Sequence, residues 1–212
     1  MKSYDRLYEM LNSSRITTLK VSRRSFIGGT VSLIAASAAP AFVLSAIPLR
    51  AFALQSQGNW RFCNKCHALF FDGTPNKGRC TAGGGHVSAG HNFHMLIGDV
   101  GEEVPPGQID WRLCNKCYSM IYAGYSRTKG LKGLCPAGGG HVSGGELYAL
   151  EHDRAASAEE QRDWRFCNKC FALFFDGYPN KGRCPTGNGH VSQGYNFVLR
   201  WRGNGESIQR ID

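Results

Sequence analysis

"WRFCNKC" at Trp60–Cys66 returns as "WRLCNKC" at Trp111–Cys117 and again as "WRFCNKC" at Trp164–Cys170. Each C-x2-C hook places two sulfurs on one tight turn, and the residues downstream decide what closes it. Thirteen residues separate Cys66 from Cys80 and five separate Cys80 from His86; the same spacing joins Cys170, Cys184 and His190. The middle copy widens the first gap to seventeen residues, Cys117 to Cys135, and keeps five before His141. All nine cysteines are then used, with three histidines, as three sets of four. Three thiolates and one imidazole make a standard tetrahedral zinc set. The candidate ligands are therefore Cys63, Cys66, Cys80 and His86; Cys114, Cys117, Cys135 and His141; and Cys167, Cys170, Cys184 and His190. Three Zn2+ ions are expected, with iron left open by spacing alone.

Disulfides suit the pattern less well. Nine is odd, and each copy carries an odd number of thiols, so one thiol stays free. A lone C-x2-C would equally suit a redox pair, but no βαβ setting surrounds these hooks. The Gly-rich turns "TAGGGH", "PAGGGH" and "PTGNGH" lack G-x-x-x-x-G-K-[ST] and a following helix, so a nucleotide loop is the weaker reading. Glycine there allows positive φ and turns backbone N–H groups toward a thiolate sulfur.

The repeat extends beyond its ligands. Aligned on Trp, "QGNW", "QIDW" and "QRDW" recur with periods of 51 and 53 residues. Each copy runs from a short strand into the hook, through an apolar run (Ala68–Phe71, Ser119–Tyr122, Ala172–Phe175) and the Gly-rich turn, to a closing strand (Asn92–Leu96, Glu146–Leu150, Asn196–Arg200). The fold class expected is mainly β: three zinc-ribbon-like Cys3His units in tandem. They either close with pseudo-threefold, trefoil-like symmetry or hang as beads on linkers. Besides an N-terminal signal helix, the one helix expected is Arg154–Arg162. From first Cys to His the units span 24, 28 and 24 residues, too few to bury the apolar surface that offsets chain entropy. A structural zinc is worth about 10–16 kcal/mol of apparent binding energy in small fingers. The metal is thus expected to be each unit's core, with Trp60, Trp111 and Trp164 packed on their own hooks. His67, His91, His94 and His152 read as surface residues.

The first fifty residues read differently. "SRRSFIGG" at Ser22–Gly29 sets Arg23 and Arg24 before a moderately apolar stretch, about Phe26 to Leu49, and "AFA" at Ala51–Ala53 offers a small-x-small cleavage site. This resembles a twin-arginine export signal, recognised by the twin-arginine export machinery through Arg23 and Arg24. Cleavage after Ala53 is expected, with Ala46 a second site and an uncleaved anchor the alternative; only this segment would meet the membrane. Residues 1–53 form the signal, and repeats occupy 54–100, 101–153 and 154–212. The resemblance implies a periplasmic or extracellular protein that leaves the cytoplasm already folded. The chain carries +9, of which +4 remains beyond residue 53, so nucleic acid is not an expected partner.

The whole pattern, W-R-x-C-x-K-C-x-x-L-F-F…G-x-C-P-x-G-G-x-H…Y-x-L from Gln57 to Trp201, resembles a tandem repeat of secreted bacterial and fungal proteins that has no settled activity. Thr81 replaces the motif's proline in the first copy, and Met120, Ile121 and Tyr122 replace L-F-F in the second. A closed four-ligand site has no position for substrate, and no nucleophile elbow or H-E-x-x-H is present. The expectation is a non-enzymatic binding module whose partner is an envelope or extracellular glycan or a protein. The alternative is periplasmic redox or metal-handling work by the C-x2-C thiols; an enzyme with an unrecognised site is a third reading. Replacing both Arg23 and Arg24 by Lys is expected to abolish export, because Lys lacks the planar fork of Arg. Cell fractionation checks this: precursor retained in the cytoplasm is the expected result, and normal export would mark a general secretory signal or an anchor.

Overall fold

Every copy of the repeat builds the same three strands. The first copy forms β1 (Ser56–Cys63), β2 (Leu69–Phe71) and β3 (Ser88–Ile97); the second forms β4 (Gln108–Cys114), β5 (Met120–Tyr122) and β6 (Ser143–Leu150). The third forms β7 (Glu160–Cys167), β8 (Leu173–Phe175) and β9 (Ser192–Arg202). This computed structural model describes residues 55–98 and 107–202; residues 1–54, the expected signal among them, lie outside, as do 99–106 and 203–212. In each unit the first strand pairs antiparallel with both others. Trp60 faces Phe71 and Phe93, Trp111 faces Tyr122 and Tyr148, and Trp164 faces Phe175 and Phe197.

A bulge precedes each Trp. The register slips between Gln57 and Trp60, Gln108 and Trp111, and Gln161 and Trp164. The residue just before the Trp holds a left-handed backbone: Asn59 at φ 62°, Asp110 at 76° and Asp163 at 67°. Asn and Asp tolerate that region best among non-glycine residues. Asn92 Oδ1 accepts the Asn59 N–H and Asn196 Oδ1 accepts the Asp163 N–H, each at 2.8 Å. The extra residue re-aims the strand so that all three indoles become fully buried.

The units do not hang as beads. β3 pairs with β6 at Leu96–Ala149 and Ile97–Tyr148 and with β9 at Phe93–Trp201, while His152 bridges to Phe197. One nine-stranded antiparallel sheet results, curled nearly shut like a barrel. The three Trp residues lie in one common core with Leu69, Met120, Leu173 and the aromatics of the closing strands. Each indole meets a ring of another unit edge-on: Trp60 with Tyr148 at 5.3 Å, Trp111 with Phe197 at 5.1 Å and Trp164 with Phe93 at 5.1 Å. The expectation that each Trp packs on its own hook is thereby corrected. The cysteines form separate buried clusters, and the Trp residues fill the space between units.

The expected helix at Arg154–Arg162 is absent. Glu160 begins β7 opposite Arg200, and its carboxylate takes Arg154 at 2.7 Å and the Ser157 N–H at 2.9 Å. Local side-chain bonds and strand pairing outcompete the helix here. The described helix, α1, is instead Gly124–Lys129, within the insertion of the second copy. Its Tyr125 packs edge-on against Phe166 and Phe171 of the third unit.

Three glycines permit the closest approach between units. A Cβ on Gly78 would stand 2.2 Å from the Cys117 carbonyl oxygen, one on Gly133 would stand 2.3 Å from that of Cys170, and one on Gly182 2.2 Å from that of Cys66. All three also have φ above 60°. Gly130 shares that backbone region, at φ 67°, but faces open space. Gly130→Ala is therefore expected to cost about 1–2 kcal/mol, the strain alone. Gly133→Ala adds a clash with backbone and is expected to cost about 2–5 kcal/mol in all. Chemical denaturation of the two variants beside wild type measures the gap; equal losses would show that contact across the junction does not limit stability.

Candidate metal centres

The turn at each hook places its two cysteines on one side. In it, His67, Tyr118 and Phe171 follow the second cysteine with φ of 66°, 63° and 67°. Bulky residues seldom adopt this conformation. Here each donates its N–H to the carbonyl of the first cysteine, Cys63, Cys114 or Cys167, at 2.8 Å. The Gly-rich turn supplies the other two side chains. Gly83 and Gly84 take φ of 93° and 63°, and Gly138 and Gly139 take 92° and 61°. In the third copy Asn188 at 58° does the work of the second glycine. In the first copy the Ala82 N–H donates to Cys80 Sγ at 3.4 Å. Lys65, Lys116 and Lys169, the lysines inside the hooks, donate to the carbonyls of Gly83, Gly138 and Gly187 and tie each hook to its turn.

The twelve expected ligands come together in three buried groups: Cys63, Cys66, Cys80 and His86; Cys114, Cys117, Cys135 and His141; Cys167, Cys170, Cys184 and His190. Within each group the four candidate ligand atoms lie within 4.8 Å of one another. The edges have the size of a metal tetrahedron. Bonds of about 2.3 Å to sulfur and about 2.05 Å to nitrogen give edges of about 3.8 Å between sulfurs and about 3.6 Å from sulfur to nitrogen. The sulfurs of Cys63 and Cys80, Cys114 and Cys135, and Cys167 and Cys184 stand 3.9, 3.9 and 4.0 Å apart. Cys66, Cys117 and Cys170 stand 3.5, 3.6 and 3.5 Å from the Nδ1 atoms of His86, His141 and His190. No disulfide joins them, and all nine thiols are buried. Each group could hold one metal ion.

The other imidazole nitrogen leaves the unit. His86 Nε2 donates to the Cys117 carbonyl at 3.0 Å, His141 Nε2 to that of Cys170 at 2.9 Å, and His190 Nε2 to that of Cys66 at 3.1 Å. A carbonyl only accepts, so Nε2 must carry a proton, and Nδ1 is the nitrogen turned toward the sulfurs and left for a metal. Phe70 and Phe174 stack on His86 and His190 at 4.7 Å and fix the ring planes. Ile121 holds the same place in the second unit, so the loss of L-F-F there leaves the site intact.

The packed thiols cannot all ionise unaided. Contact with Cys66 and Cys80 pulls the Cys63 thiol far below its usual range, and the reciprocal contact with Cys63, together with burial, pushes Cys66 far above it. The pairs Cys114 and Cys117, and Cys167 and Cys170, divide in the same way. Burial opposes charge on His86, His141 and His190, but hydrogen bonds and charge from the two facing cysteines outweigh it and raise each to about 9. At neutral pH a cation bound here would therefore take the place of protons on both sulfur and nitrogen.

The remaining histidines join no such group among the described residues. His67 is buried rather than at the surface, in ring contact with Phe62 and Tyr178. His91 stacks on Trp201 at 4.0 Å and His152 on Tyr195 at 3.7 Å. Sequence reasoning passed over the left-handed residues behind each hook and the glycines Gly78, Gly133 and Gly182. The only signal was a K-G-x-C stretch ahead of each third cysteine, with nothing to say what it approached. Comparison with protein-family models, with characterised proteins and with solved structures finds no match.

Metal added to the metal-free protein is expected to bind at three equivalents per chain and to release protons into an unbuffered solution. Because the imidazoles hold protons up to about pH 9, affinity falls steadily as pH is lowered from about 8 to about 6. Chelator competition across that range checks the sign; affinity independent of pH would contradict the ligand assignment.

Proposed function

We propose that the chain is an exported, zinc-stapled binding module without enzymatic activity, its three units closed in pseudo-threefold fashion. The observation that carries this reading is the completeness of each Cys3His group. All four ligand atoms come from buried side chains, and the second imidazole nitrogen is already spent on a backbone carbonyl. A metal so enclosed offers no coordination position to water or substrate, which is the mark of a structural site. A cavity lined by all three imidazoles is about 10 Å³, room for about one water.

The tetrahedral edge lengths and the three-thiolate, one-imidazole set suit zinc. Thiolate sites survive best when formed in a reducing compartment, which suits export of an already folded chain through Arg23 and Arg24 to the periplasm or beyond. The partner proposed is a glycan of the envelope or the surroundings, or another protein. Tyr178 and Tyr195, about half exposed, are aromatic surface of the kind such partners use. Three similar units would bind a repeating partner with added avidity.

His141→Ala tests the structural assignment. It is expected to lower stability by more than about 4 kcal/mol, the range of lost structural metals, and a strong chelator is expected to bring wild type to the same loosened state. Circular dichroism melting with and without chelator reads both. A variant that melts like wild type after losing metal would favour metal handling by the thiols instead.

A further inference from the structure

We infer that the three metal sites load and release as one cooperative set, coupled around a closed ring of hydrogen bonds between units. This rests on the metal-stapled reading above and goes further in saying how the sites act on one another.

The ring is directional. The imidazole of the first site bonds the carbonyl of Cys117, a ligand residue of the second; that of the second bonds Cys170 of the third; that of the third bonds Cys66 of the first. Main-chain bonds run the same course, from Phe71 N–H to Tyr118 carbonyl, Tyr122 to Phe171, and Phe175 to His67. The short strands also meet in turn, Phe70 with Ser119, Ile121 with Ala172 and Phe174 with Ala68. Each acceptor carbonyl therefore belongs to the hook of the next metal, or to the left-handed residue directly behind it.

The physical consequence follows from how a metal-bound imidazole is oriented. A hydrogen-bond acceptor on its outer nitrogen fixes the tautomer and the ring plane, and disturbing such a partner usually costs about 10–100-fold in metal affinity. Here the acceptor is placed when the neighbouring hook is held in its tight turn, and a metal on that hook's two sulfurs reinforces the main-chain bond that closes it. Filling one site thus prepares the imidazole of the site before it. Since the chain of contacts returns to its start, every site both supports and is supported, and no site is an end. Coupling of about 10–100-fold per link leaves partly filled molecules scarce.

Gly133 tests the link without touching a ligand. Its missing side chain lets the insertion lie against the Cys170 carbonyl that receives His141 Nε2, and a Cβ there would force that carbonyl away. The experiment withdraws zinc from the fully loaded chain by graded chelator and counts ions per molecule by native mass spectrometry. Wild type is expected to show mainly three-metal and metal-free species throughout. Gly130→Ala, strained but not clashing, is expected to behave the same way. Gly133→Ala is expected to populate two-metal and one-metal species and to lose its first ion at about 10–100-fold lower chelator. Partly filled wild-type molecules in the proportions of independent sites would overturn the coupling and leave the structural reading standing. A purified chain that never carries metal would overturn the structural reading itself. Should Gly133→Ala fail to fold, the wild-type distribution alone decides.

Discussion

The imidazole of each Cys3His group has two nitrogens, and the structure uses them for two different tasks. Nδ1 completes the tetrahedron with the three sulfurs of its own unit, while Nε2 is anchored on a backbone carbonyl of the next. Much else depends on this division. It sets the tautomer that the metal needs, brings the hooks close enough for glycine to be required at Gly78, Gly133 and Gly182, and turns three local sites into one closed arrangement. A ligand whose outer nitrogen faced solvent would have left the three sites without a direct bond from one to the next.

Two kinds of cohesion share the molecule, and they are separated in space. The thiols and imidazoles gather around β2, β5 and β8, where the short strands meet. The aromatic core lies on the Trp side of the sheet, where Trp60, Trp111 and Trp164 each reach into another unit. Units of this length bury too little apolar surface on their own, and a metal site without the neighbouring carbonyl lacks the acceptor that orients its imidazole. The Cys3His group is therefore not each unit's entire core, as unit length alone suggested; beside the three groups lies an aromatic core that all three units build together.

The differences among copies are tolerated where geometry is redundant. Gln108 and Gln161 accept the indole N–H of Trp111 and Trp164 at 3.1 and 3.0 Å, whereas Gln57 takes the Tyr148 hydroxyl and Trp60 Nε1 is left without an acceptor among the described residues. The insertion of the second copy folds into α1 and adds Tyr125 to the seam with the third unit, while the spacing from Cys135 to His141 stays as in the others. Variation falls on the seams and on the loop between the two ligand pairs, and not on the C-x2-C and C-x5-H spacings within a pair, because a tetrahedron accepts little error in position.

The ligands were legible from sequence because their chemistry is local. A C-x2-C turn and a C-x5-H turn each fix two donors within a few residues, and threefold repetition with no cysteine left over removes the competing pairings. The strands were legible from aromatic runs between Gly, Pro and Asn clusters. The partners across units were not. Which carbonyl receives His141 Nε2, which ring meets Trp111 and why Gly133 has no side chain are contacts between residues many positions apart, and no local periodicity encodes them. The Arg154–Arg162 segment shows the same limit in reverse: its composition suits a helix, but Glu160 has a strand partner in Arg200 and an ion pair with Arg154. Sequence alone determined which side chains could gather around three metals; only the tertiary structure, by curling the sheet nearly shut, decided that the imidazole of each site is bonded to the hook of the next.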